Sequence, residues 1–113
     1  MKIKIATDFT TAPGPRYTSE GPFSGEEFRT KILYPALRSA IEAKDKLIVD
    51  LDGTSGYGTS FLEEIFGGLI RENGVSLAAL RNTLSVVSNE EPDLLQDIDD
   101  YLRDAEDEHK SAS

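Results

Sequence analysis

The chain has 113 residues, 21 acidic against 12 basic side chains, a net charge of −9 and no cysteine. That length suits one domain, and the missing thiols exclude disulfides, thiolate catalysis, Cys-based zinc sites and Fe–S clusters. The negative charge repels phosphate backbones, so nucleic acid is not an expected partner; no stretch approaches the roughly 18 apolar residues of a membrane span and the N-terminus lacks the apolar run of a signal peptide, so the expected location is cytoplasmic.

In chain order, residues 2–9 begin with Lys2 and Lys4 on one face and Ile3 and Ile5 on the other, the two-residue period of a half-buried strand. Residues 10–22 carry three prolines and two glycines and read as a loop with room for one short edge strand. Ser24-Gly25-Glu26-Glu27 has the spacing of a capping box and predicts a helix from about Gly25. Its apolar stripe is Phe28, Ile32, Leu33, Ala36, Leu37, Ala40 and Ile41, with Arg29, Lys31 and Arg38 outside. Pro35 predicts a kink or break, because it lacks an amide donor and restricts Tyr34.

Leu47 to Asp52 is short and nearly all apolar, as expected of a central strand covered on both faces. A glycine-rich loop follows over Gly53 to Gly58, then Phe61, Leu62, Ile65, Phe66, Leu69 and Ile70 repeat at helical spacing up to an Asn73-Gly74 C-cap. Gly67 and Gly68 each weaken that helix by about 1 kcal/mol relative to alanine, so a neighbouring backbone packed closely against them is expected. Ser76 to Arg81 suits one helical turn and Thr83 to Ser88 a strand, although Leu77, Leu80 and Leu84 also suit a longer helix; the strand is favoured. From Pro92, an apolar stripe through Leu94, Leu95, Ile98, Tyr101, Leu102 and Ala105 opposes an acidic face. The expected domain is 1–106, with 107–113 a frayed tail, and alternation of strands and helices implies an α/β fold with a mixed or parallel sheet.

Two segments invite a chemical reading. Val49-Asp50-Leu51-Asp52-Gly53-Thr54 resembles the opening motif of haloacid-dehalogenase-type phosphatases, which implies Asp50 as nucleophile, Asp52 as acid/base and a magnesium ion. The remaining groups of such a site are missing, since no lysine lies between Ser88 and Asp100 and Asp99-Asp100 falls on the last helix. Carboxylates that hydrogen-bond loop amides or face water are the favoured reading. The Gly53 to Ser60 loop lacks the Gly-Lys-Ser/Thr ending of a phosphate-binding loop, and the lone His109 sits in the expected tail, so neither nucleotide binding nor a Ser-His pair is expected.

Gly14-Pro15-Arg16-Tyr17, Gly21-Pro22-Phe23-Ser24-Gly25-Glu26-Glu27-Phe28-Arg29 and Gly56-Tyr57-Gly58-Thr59-Ser60-Phe61-Leu62-Glu63-Glu64 together resemble the bacterial STAS-like family of unknown function, related to the STAS domains of anti-sigma-factor antagonists. The resemblance implies a small mixed β-sheet with covering helices and no cofactor; because no complete set of reactive groups is present, no metal site and no catalytic centre are expected either. It also implies a regulatory protein-interaction module whose partner is a kinase or another regulatory protein. Carried over by position, Ser60 matches the serine that is phosphorylated in the antagonists, Thr59 the residue before it, and Gly58 stands where the motif has Asp. Gly56, Tyr57 and Gly58 then form a partner-binding loop. Ser60-Phe61-Leu62-Glu63 is also a capping box, and cap and switch can coexist. A blander possibility is a subunit that pairs with itself or a neighbour, with Phe23 and Tyr57 as anchors; the oligomeric state is left open.

Overall fold

A computed structural model of the chain describes residues 1–112. Its elements are β1 (Lys2–Lys4), α1 (Ile5–Asp8), a 3₁₀ turn (Thr18–Glu20), α2 (25–43), β2 (Leu47–Asp50), α3 (59–71), α4 (Leu77–Thr83), β3 (Leu84–Val87) and α5 (Leu94–Ala112). The three strands form one sheet in the order β1-β2-β3, so β2 is central as expected. Both pairings are parallel, with Ile3 opposite Val49 and Val49 opposite Val86. The sheet is therefore parallel and not mixed, because every link between neighbouring strands is a helical crossover and none is a hairpin.

Several expectations change in the folded chain. The first strand stops at Lys4 because the Asp8 carboxylate reaches back to accept from the Lys4 amide at 2.8 Å, which closes a helical turn and leaves Ile5 fully buried. The loop after it holds a 3₁₀ turn and no edge strand: the Glu20 side chain accepts from the Tyr17 amide at 2.9 Å. Only one sheet face is well covered, since Ile48 is 36% exposed and lies in register with the exposed Lys2 and Ser85. Residues 107–112 continue α5 as helix where fraying is expected, with His109 and Lys110 in the last turn complementing the helix dipole; Ser113 lies outside the described residues.

Helix α2 begins at Gly25 under the Ser24 cap, whose hydroxyl accepts from the Glu27 amide at 3.0 Å, while the Glu27 carboxylate turns to Lys31 at 3.9 Å. At Pro35 the helix neither breaks nor ends. Residues Arg29–Leu33 form a π-helical turn that leads into the α-helical stretch Tyr34–Ala43. A wider turn ahead of a proline opens the ladder where the ring would clash and the donor is missing. It also adds one residue to the helical phase, so the buried set runs Phe28, Leu33, Leu37, Ala40, with a first step of five. Ile41 is turned outward, and Arg29, expected outside, is only 4% exposed: at 100° per residue it falls between Phe28 and Leu33, so position puts it inside and only its charge argues otherwise.

Helix α3 runs through the centre of the molecule and carries a second π turn at Glu63–Gly67. Phe61, Leu62, Ile65, Phe66, Leu69 and Ile70 are all buried, packed by α2 on one side and α5 on another. Gly74, with φ 71°, turns the chain out of the helix while its amide donates to Ile70 O at 3.1 Å, the C-cap expected there. The Ser76 hydroxyl caps α4 by accepting from the Ala79 amide at 3.1 Å, and β3 follows directly. Among the described residues no helix is long and apolar enough to cross a membrane.

Candidate functional site

The turn after β2 is bound tightly to the body of the domain. Asp50 Oδ1 accepts from the Asp52 amide at 2.9 Å, and Asp52 Oδ1 accepts from the amides of Asn89 and Glu90, both at 2.9 Å. Glu90 in turn accepts from the Gly53 amide. The two aspartates thus serve the loop backbone, and Asp50 is nearly buried with Lys2 at 3.7 Å. Among the described residues no group of three or more His, Cys, Asp or Glu side chains is placed to hold a metal ion.

Tyr57 faces inward. Its hydroxyl donates to Leu51 O at 2.7 Å and its ring lies 5.9 Å from that of Phe61. Burial pushes the hydroxyl pKa up to about 12; Thr54 opposes this, and the charges of Asp50, Asp52 and Glu90 reinforce it. The group therefore stays a donor at neutral pH. Replacing Tyr57 by Phe should cost about 0.5–1.5 kcal/mol by leaving the buried carbonyl short of its partner. An unchanged urea midpoint would show that this hydroxyl does not hold the loop.

Helix α3 starts two residues earlier than the capping box implies. Gly58 is the N-cap residue, with extended φ −75° and ψ 149°, and its carbonyl accepts from the Leu62 amide at 3.3 Å. Ser60 is thereby moved into the first turn and does not cap, because the helix begins at Thr59. Gly58, Thr59 and Ser60 are exposed, Gly56 and Tyr57 are half-buried, and from Phe61 to Ile70 every residue except the half-buried Glu63 is buried. Ser60 borders a cleft of about 270 Å³ with Pro15, Arg16, Tyr17 and Glu20.

The strap on the other side of this cleft is fixed by its backbone. Gly25 and Glu26 amides donate to Pro15 O and Arg16 O, each at 2.9 Å, and the Thr18 and Ser24 hydroxyls lie 3.1 Å apart. Behind it stands a charged cluster that regular spacing does not reveal. Arg29 donates to Glu64 Oε2 at 2.9 Å and to Asn73 Oδ1 at 2.8 Å, with Glu64 only 2% exposed. Arg71 holds Glu63 at 2.7 and 3.1 Å. Arg16 reaches across from the strap to Glu63 and, at 3.3 Å, to Glu64. Burial alone would raise the Glu63 carboxyl, but the hydrogen bonds from Arg71 and Arg16 outweigh it and hold its pKa below the ordinary value.

The glycine pair in α3 makes room for these side chains and not for a neighbouring backbone. A Cβ on Gly68 would stand 2.6 Å from Arg29 Nε, and one on Gly67 would stand beside the Glu63 carboxylate. Close backbone approach occurs instead at Gly25, where a Cβ would lie 2.9 Å from Phe61 O. Two adjacent glycines in an otherwise apolar helix, together with Glu63 and Glu64 on that helix, are the sequence signal that could have marked the cluster.

Residues 24–94, more than half of the chain, match the family described as STAS-like domain of unknown function (DUF4325). The chain belongs to that family. No curated protein and no solved structure matches it. The family segment of this STAS-like domain opens on the Ser24 cap and contains Thr59, Ser60, Arg29, Glu63, Glu64 and Arg71. It stops at Leu94, so nearly all of α5 lies beyond it, as do β1 and Arg16.

Proposed function

We propose that this STAS-like domain is a non-enzymatic, cytoplasmic regulatory module that docks a protein partner at the exposed start of α3 and the strap beside it. The observation that carries the reading is the placement of Thr59 and Ser60: two exposed hydroxyls on the first turn of a helix whose apolar residues from Phe61 onward are all buried. Loop and strap on either side are tied down by backbone and side-chain hydrogen bonds, so the surface is preorganised and little ordering is needed on binding. The partner contacts Gly56, Gly58, Thr59 and Ser60 together with Tyr17, whose side chain is exposed at the cleft. The rest of α3 is buried apart from the half-buried Glu63 and Arg71, which are paired with each other, and takes no part.

In this reading a kinase modifies Ser60, or Thr59 beside it, and the added charge controls docking in the manner of an anti-sigma-antagonist switch. Amides of the first turn favour a phosphate there, while Glu63 and Glu64 are already engaged by arginines and oppose it less than free carboxylates would. Recovery of partners from lysate should fall at least about tenfold for Ser60→Glu relative to Ser60→Ala, with both variants melting like the parent protein. Equal recovery of every partner by the two variants would remove this surface from consideration.

A further inference from the structure

The two outer strands of the sheet differ in how they meet solvent. β1 places Lys2 and Lys4 along its length, a common guard against stray strand pairing. β3, Leu84-Ser85-Val86-Val87, has no charge, no proline and no bulge, and among the described residues it pairs only with β2. The Leu51 amide donates to Val87 O at 2.8 Å, which turns the backbone groups of Ser85 and Val87 toward β2 and those of Val86 toward the open edge. Beside that edge lies a groove of about 430 Å³ between β3, α4 and α5, lined by Leu80, Leu84, Val86, Leu95, Ile98 and Leu102. Leu95 at its rim is 41% exposed, large for an apolar side chain.

Charge decides between possible occupants. Residues 90–110 carry ten acidic and two basic side chains, a net of −8, whereas the remaining residues of the chain sum to only −1. The arginines at the groove are already engaged: Arg81 lies 3.3 Å from Asp99, and Arg103 lies 3.0 Å from Asp99 and 2.6 Å from Asp100. Asp93, just ahead of α5, and Asp97 and Asp104 on its outer side form no ion pair among the described residues. They stand about one helix diameter, roughly 10 Å, from the groove, a distance comparable with the screening length of physiological salt. This field opposes a second copy of the chain and attracts a cationic one.

We propose that a basic β-strand of a protein partner pairs with the open edge of β3 and seats its apolar side chains in the groove beneath α5. Backbone hydrogen bonds to Val86 supply the register, the groove receives every second side chain, and the lysine or arginine side chains between them lie on the opposite face of the strand, where the long-range field of the acidic residues 90–110 and not direct contact favours them. The surface is separate from the start of α3 and does not depend on the function proposed above. Because it needs α5, it is a property of this chain and not of the family segment.

The test uses a fluorescein-labelled peptide of alternating lysine and valine, a matching glutamate–valine peptide, and the full chain. Anisotropy should show saturable binding of the lysine peptide and none of the glutamate peptide. Leu95→Asp separates groove seating from attraction of opposite charges, since it makes the protein more negative while spoiling the apolar rim. Groove binding should weaken about tenfold in that variant, whereas binding by charge alone would tighten. Amide hydrogen exchange at Val86 should slow on peptide addition. Tighter binding by Leu95→Asp, unchanged exchange at Val86, or concentration-dependent dimerisation of the free chain that excludes the peptide would each overturn the proposal.

Discussion

Replacing Glu64 by leucine will destabilise the domain by about 3–5 kcal/mol, the range found when one partner of a buried ion pair is removed. Glu64 and Arg29 are both almost fully buried, and Arg29 Nε has no hydrogen-bond partner among the described residues, so the guanidinium depends on Glu64 and Asn73. Without the carboxylate, a positive charge remains inside the fold close to two more arginines. For a domain whose whole stability is about 5–15 kcal/mol, this is a large share, and the urea midpoint at constant slope reads it directly. The double variant Arg29→Met with Glu64→Leu should recover most of the loss, because two apolar side chains of similar volume need no solvation. A single variant as stable as the parent would mean that water already reaches the pair.

The neighbouring Glu63 gives the same cluster a pH dependence. Its carboxyl pKa is lowered in the fold, so its contribution is fully present above the ordinary value near 4.5 and is lost as pH falls through the lower folded value. Acid unfolding should therefore begin below the normal carboxylate range and shift upward in Arg71→Gln, which removes the larger of the two stabilising arginine contacts.

Gly68→Ala is the second large effect expected, a net loss of about 1–2 kcal/mol in a helix where alanine would ordinarily gain about 1 kcal/mol. The backbone at Gly68 is ordinary helix, φ −60° and ψ −28°, so conformation is not the obstacle. The obstacle is the middle of the Arg29 side chain, with Cδ at 2.8 Å and Nε at 2.6 Å from the new carbon, and its guanidinium is anchored at both ends of its fork. Gly67→Ala provides the contrast. There the nearest group is the tip of the half-buried Glu63, and its partners Arg71 and Arg16 are partly exposed and can follow it as it shifts, so the change should fall within about 1 kcal/mol of neutral. Thermal unfolding of the two variants tests the assignment; equal effects would show that the glycines are not there for the arginine. In an Arg29→Met background the penalty at position 68 should shrink, a coupling that a double-mutant cycle measures.

Much of the architecture was legible because the local signals agree with one another. The apolar run from Leu47, the Ser24 cap and Gly74 beyond α3 each act through short-range chemistry that tertiary packing left intact. The first strand is shorter than its pattern predicts, because Ile3 and Ile5 alternate as a strand does while the Asp8 side chain that ends it acts from four residues away. The ends of the candidate site were legible in part: Thr59 and Ser60 are exposed as a contact surface requires, but Gly58 took the cap. The charged cluster was legible only in part: at 100° per residue Arg29 falls between Phe28 and Leu33, inside the apolar stripe, and only its charge argues for the outside, whereas Glu64 falls opposite the stripe of α3 and is buried all the same. Arg16 escaped for a different reason, being held by pairings across a loop that has no periodicity to read.

Arg29 and Glu64 each belong to one of the two π turns, and these turns pack against each other. A π turn is equivalent to a single inserted amino acid, so shortening either helix by one position would swing its charged residue away from the other like a gear tooth out of mesh. The middle of these two helices is thus where the domain's length, and not only its composition, is fixed.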